Sequence, residues 1–73
     1  MPKNIVRNIN VMGGKPCVRG TRITVQQILE DAADGMSIAD ILEAYEHITD
    51  ADVRAAFAYA AHYLGHEGLV AAE

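Results

Sequence analysis

Residues 24–45 read T-V-Q-Q-I-L-E-D-A-A-D-G-M-S-I-A-D-I-L-E-A-Y, and the punctuation of this stretch decides the fold class. Thr24 with Gln27 three positions on has the spacing of a capping box, which satisfies the first free N–H groups of a helix. Val25, Ile28, Leu29, Ala32 and Ala33 then recur at the spacing of an amphipathic stripe. Gly35 stands where a left-handed C-cap belongs. Ser37 opens a second helix, whose Ile38, Ile41, Leu42 and Tyr45 repeat the same spacing. Two helices are expected, near 25–34 and 38–45.

Toward the carboxyl end, Thr49 caps a third helix, with Asp50 and Asp52 in its first turn complementing the dipole. Its core stripe is Val53, Ala56, Phe57, Ala60 and Leu64, and Gly65 marks its end, giving a helix near 50–64. The last two helices read as a helix-turn-helix pair. Toward the amino end, Ile5, Ile9 and Val11 alternate with polar Arg7, Asn8 and Asn10, as in a half-buried strand. Gly13-Gly14 is a turn signal, Pro16-Cys17-Val18 returns as a second short strand, and Gly20 marks another turn. A lone hairpin is marginal in water, so this ribbon must pack on the helices or join another ribbon. The expected architecture is mainly α: a three-helix, helix-turn-helix-type unit with a short N-terminal β-ribbon. One domain spans 1–73, divided into a basic ribbon at 1–24, helices over 25–64 and a short tail at 65–73.

Size and composition narrow the class. A chain of 73 residues with 51% apolar and 22% charged residues is that of a small folded domain. It has no apolar run near the ~20 residues that span a bilayer. The start M-P-K-N-I-V-R-N lacks the apolar stretch of a signal peptide. Cys17 is the only cysteine, so an internal disulfide is excluded and no cysteine cluster suggests structural zinc. A cytoplasmic location is expected. A domain this small without staples is also a candidate for oligomerisation.

The net charge of −4 conceals an asymmetry: residues 1–22 carry Lys3, Arg7, Lys15, Arg19 and Arg22 and no acid, whereas residues 23–73 carry ten acids against Arg54 alone. A basic arm on an acidic body suits a polyanion or an acidic partner surface, or attraction between arm and body across a dimer. The third helix points to a dimer as well. Its side away from the core stripe carries Ala51, Ala55, Ala58 and His62, with Tyr59 and Tyr63 nearby, where a solvated helix would carry charge. A homodimer is expected, with Ala55, Ala58, Tyr59 and His62 at the interface. The alternative is that alanine only supplies helix propensity there.

The candidate chemistry is thin. His62 and His66 are four apart, but the expected helix end at Gly65 separates them and no third ligand is suitably spaced, so no metal is expected. Ser37 is explained as an N-cap and Cys17 as a buried structural thiol, although Lys15 and Arg19 beside it favour a thiolate. Glu30, Asp31 and Asp34 read as a solvated face, and Gly13-Gly14-Lys15 lacks the full spacing of a phosphate loop. Neither enzymatic activity nor a cofactor is expected. As a DNA reader the third helix is poor, offering Asp50 and Asp52 to phosphates and only Arg54 to a base. DNA contacts would instead come from Arg7, Lys15, Arg19 and Arg22 in the ribbon and its turns, doubled by dimerisation.

The run G-G-K-P-C-V-R-G-T-R-I-T-V-Q-Q-I-L, residues 13–29, resembles a widespread prokaryotic family of small proteins. That family was long catalogued as a domain of unknown function and is now usually described as antitoxin-like. Its pattern is matched by Gly14, Pro16, Val18, Gly20, Thr21, Arg22, Ile23 and Val25, then by D-G-M-S at 34–37, I-L-E-A-Y at 41–45 and I-T at 48–49. The chain departs from it at Glu46-His47, where a proline usually follows the aromatic residue. The resemblance implies a homeodomain-like tri-helical fold with an N-terminal ribbon, found in dimers. It also implies the antitoxin half of a type II pair, often beside a PIN-like ribonuclease toxin, with operator DNA as a further partner. The alternatives are a stand-alone DNA-binding regulator and an adaptor whose acidic body docks a basic protein. Within the G-T-R run, Gly20 suits a turn of positive φ and Thr21 a hydrogen bond inside it, while Arg22 either pins the turn to a carboxylate or helix end or reaches outward to phosphate. Lys15 and Arg19 are the expected outward contacts. The tail from Gly68 is a candidate toxin-binding segment or an inert end.

Overall fold

The computed structural model describes residues 2–66, with the backbone alone for His66. The chain is mainly helical, with a short antiparallel ribbon before three helices. β1 (Ile5–Val6) pairs with β2 (Cys17–Val18), Ile5 opposite Val18 and Val6 opposite Cys17. Beyond β2 the chain turns back, so that Cys17 also bridges Thr24. The helices are α1 (Val25–Ala33), α2 (Ile38–Ala44) and α3 (Asp50–His66).

Each helix begins where a side chain can satisfy its free amides. Thr24 Oγ1 accepts from the Gln27 amide at 3.0 Å. The Gln27 side chain does not complete the box; it donates to Asp31 instead. Ser37 and Asp40 form a full box, at 2.9 and 3.1 Å, and Thr49 and Asp52 form another, at 3.0 and 3.2 Å. Such caps matter because isolated helices this short are marginal in water.

The core gathers Ile5, Val18, Val25, Ile28, Ile41, Ile48, Val53, Ala55 and Ala56. α3 is its axis, packing against α1, α2 and β1. That arrangement corrects two expectations. The ribbon helps cover α3, so Ala55, expected at a dimer interface, is 8% exposed and shares the core with Ile5. Leu64, expected in the core stripe, is 45% exposed, because α3 extends past the elements that bury its first half.

Further departures are local. The strand expected through Val11 ends at Val6, and Ile9 is 77% exposed beside the tight turn at Met12–Gly14. α3 continues through Gly65 rather than stopping there. Asp31 leaves the solvated face assigned to it. Only 9% exposed, it accepts from the Tyr45 hydroxyl at 2.6 Å and from Gln27 Nε2 at 3.0 Å. The expected tail lies, beyond His66, outside the described residues, as does the His66 side chain needed for a histidine pair. Among the described residues, no helix is long and apolar enough to cross a membrane.

Candidate functional site

Two concave surfaces flank the segment from Lys15 to Thr24. One is a cleft of about 430 Å³ between the ribbon and its turns, lined by Asn8, Val11, Lys15, Cys17, Thr21 and Arg22. The other is a groove of about 360 Å³ between the start of α1 and the far half of α3. Val25, Leu29, Tyr59, Ala60, Tyr63 and Leu64 supply its apolar wall, and Arg7 and Lys15 border it. Lys15 belongs to both.

Local hydrogen bonding builds the cleft. Thr21 Oγ1 donates to the Val18 carbonyl at 2.9 Å and accepts from the Ile23 amide at 3.0 Å. The Val18 amide in turn donates to the Ile23 carbonyl at 2.9 Å. This closes a turn around Gly20, whose φ of +78° is open to glycine at little cost. The Cys17 thiol donates to the Lys15 carbonyl at 3.4 Å, and burial pushes it above its ordinary pKa against the positive charge of Arg22. Cys17 is therefore a structural thiol, and the activating influence expected from Lys15 and Arg19 does not prevail.

The basic residues expected to meet DNA divide into three kinds. Arg54 forms an exposed ion pair with Asp50 one turn away. Arg7 donates through Nε to the Gly14 carbonyl at 3.1 Å, and Arg19 through Nε to the Lys3 carbonyl at 2.9 Å. Both help hold the ribbon. Lys15 and Arg22 are exposed, and their side chains donate to no other described residue. Arg22 was expected either to pin its turn or to reach phosphate, with Lys15 and Arg19 outward. The Thr21 hydroxyl closes that turn, and Arg19, itself exposed, gives its Nε–H to the Lys3 carbonyl.

The first turn of α3 is tied inward. Asp52 accepts from Asn4 Nδ2 at 2.7 Å, joining the residues before β1 to the helix start. That bond leads the influences holding the Asp52 carboxyl below its ordinary pKa, assisted by the Thr49 bonds and opposed by burial. The far half of α3 is different. Ala58 and His62 are exposed and Tyr59 is half-buried against the core. Tyr59 and Tyr63 stack with ring centroids 6.5 Å apart, and Tyr63 is 52% exposed. Of the expected interface set, Ala58, Tyr59 and His62 remain on or near the surface, and Ala55 does not. Sequence reasoning placed Leu64 in the core and so missed the groove wall it forms.

Ser37 Oγ caps α2 by accepting from the Asp40 amide, and the Cys17 thiol is buried. Among the described residues, no three His, Cys, Asp or Glu side chains gather as a metal site.

Comparison with curated proteins gives no match, and comparison with solved structures gives none. A family model does match, over residues 5–60, from β1 into the middle of α3. It takes in the cleft, the capped turns and the core. The chain belongs to that family, described as protein of unknown function (DUF433).

Proposed function

We propose that this protein is a non-enzymatic, antitoxin-like binding module that meets a cognate toxin through the far half of α3. The groove along that half carries the reading. An apolar wall with a stacked tyrosine pair, open to solvent and bordered by Arg7 and Lys15, suits a protein surface with apolar and acidic side chains. A PIN-like ribonuclease from a neighbouring gene is the toxin class that the sequence resemblance suggests. A homodimer through the exposed Ala58 and His62 side of the same helix completes the proposal, and it leaves the groove available.

The test is co-expression with the neighbouring gene product, scored by rescue of growth and by co-purification. Leu64→Asp is expected to weaken the complex at least tenfold while the chain stays folded, because Leu64 is outside the core. Unaltered affinity in that variant removes the groove from the mechanism. Ala58→Glu is expected to give a monomer in sedimentation; a variant that stays dimeric places the dimer contact elsewhere.

A second reading, operator binding through the ribbon, is favoured by one observation. The first acid of the sequence is Glu30, so the ribbon and its turns carry no acid of their own on a chain of net charge −4. Phosphate neutralisation supplies most of the affinity in such binding and makes it salt-dependent. Titration against the DNA upstream of the gene, at 50 and 200 mM salt with scrambled DNA beside it, tests this reading. Equal affinity for both sequences overturns it as operator recognition.

A further inference from the structure

Five basic residues lie in the first 22, yet they are not equivalent. Arg7 and Arg19 each spend a guanidinium N–H on a backbone carbonyl. Lys15 and Arg22 donate no side-chain hydrogen bond to any described residue, and both line the cleft between the ribbon and its turns. Nothing in that lining is acidic. The cleft thus holds two positive charges that no acid in its lining compensates, among the described residues.

The backbone beneath these charges is fixed. Lys15 is held through its carbonyl by the Cys17 thiol and through its amide by Met12. Arg22 sits between Thr21 and Ile23, which are locked by the Thr21 hydroxyl and by the Val18–Ile23 bond. The Arg22 charge acts on the Cys17 thiol, and that thiol donates to the Lys15 carbonyl, so the two residues meet at one buried side chain. With the backbone held, only the two side chains remain to be ordered when an anion binds. At about 430 Å³ the cleft falls within the usual ~300–1,000 Å³ of small-ligand sites. At Gly20 no atom lies within 4 Å of where a Cβ would be, so the turn side is open.

We propose that this cleft is a phosphate seat, in which Lys15 and Arg22 together hold one phosphate group. Arginine and lysine are the usual donors to phosphate oxygens, the former in two parallel bonds, the latter as a point charge. The chemistry is shared by two sources: the backbone of a nucleic acid and a free phosphate compound. The first deepens the operator reading by naming which residues would position the strand. The inference is separable from the toxin groove, since Arg22 borders only the cleft and Leu64 only the groove.

Amide shifts of the isotope-labelled full chain test it, with inorganic phosphate, a mononucleotide and a DNA duplex as three probes. At least one probe is expected to give saturable shifts centred on residues 15–22. Arg22→Gln and Lys15→Gln should each weaken that binding about tenfold, and Ala39→Gln, on the exposed side of α2, should not change it. With duplex DNA, each cleft variant should also reduce the salt slope by about one. Response to phosphate and mononucleotide without DNA binding supports the seat and overturns the operator reading. DNA binding that Arg22→Gln leaves intact overturns the seat and spares the operator reading. No saturable shift with any probe, in a chain whose spectrum shows it folded, overturns the seat outright.

Discussion

Between α1 and α2 the chain reverses through Gly35 at φ +98°, whereas between α2 and α3 it passes through His47 at φ +70°. The first turn is closed by near neighbours. The Gly35 amide donates to Ala32 and the Met36 amide to Asp31, at 3.0 and 3.1 Å, the bonds of a Schellman motif. Ser37 and Asp40 then cap α2 within four residues. The second turn depends on distant ones. Tyr45 reaches back to Asp31, Ile48 enters the core, and Asp52, besides capping with Thr49, is held by Asn4. One turn is written in its own residues and the other in the packing of the whole domain. The difference matters for function, because the second turn sets where α3 starts and so where its exposed half ends up.

The largest break in this comparison is Ile48→Ala. It removes a side chain that the second turn places in the core, and it should destabilise the domain by about 2–4 kcal/mol in urea unfolding. A loss under about 1 kcal/mol would mean that the turn is held by its caps rather than its anchor.

Tyr45→Phe comes next. It deletes the hydroxyl bonded to the buried Asp31 carboxylate and should lose about 1–2 kcal/mol at neutral pH. The bond to Asp31, then burial and the Asp31 charge, hold the Tyr45 phenol above its ordinary pKa. The folded state therefore keeps this proton more tightly than the unfolded chain does. The resulting stabilisation is complete below about pH 10 and is lost as pH rises through the folded pKa. Stability curves of the protein and the Phe variant should converge on the alkaline side. Curves that stay parallel to pH 11 would separate the phenol from the network.

Asp52→Asn should act at the opposite end of the scale. The bond from Asn4, aided by the Thr49 bonds, lowers the carboxyl pKa. The contribution of the charge is then complete above the unfolded value near ~3.9 and is lost as pH falls through the folded one. The variant should be about 1 kcal/mol less stable at pH 7, with the gap closing below pH 3. A gap that persists in acid would assign the effect to geometry instead of charge.

These turns also show why the sequence was read well in one place and poorly in another. The 3.6 period and the cap residues Thr24, Ser37 and Thr49 act within a few residues, and they located three helices to within two residues. The sites of Asp31, Ala55 and Leu64 depend on what packs against them from elsewhere. An aspartate among Glu30 and Asp34 looks solvated until Tyr45 arrives over it, and an alanine face looks vacant until the ribbon covers part of it. The same limit affected the candidate site. Composition marked the ribbon as basic. Only the bond from the Thr21 hydroxyl to Val18, which leaves Arg22 unused in its own turn, separates the cleft cations from the structural ones.

The smallest effects have opposite signs at the two turns. Gly35→Ala adds a Cβ with no atom within 4 Å of it, so steric contact adds nothing and only the left-handed backbone opposes the change. A loss of about 1 kcal/mol is expected. His47 already occupies that unfavourable region, with an exposed side chain in a weak, solvent-exposed contact with Glu46. His47→Gly removes the backbone strain but adds freedom to the unfolded chain, and the balance should be a gain of about 0.5 kcal/mol. Glycine at both turns would leave the α2–α3 reversal less dependent on Ile48 and Tyr45. In the His47→Gly background, then, Tyr45→Phe should lose less than it does alone. Equal losses in the two backgrounds would show that the strain at His47 and the anchor at Asp31 act independently.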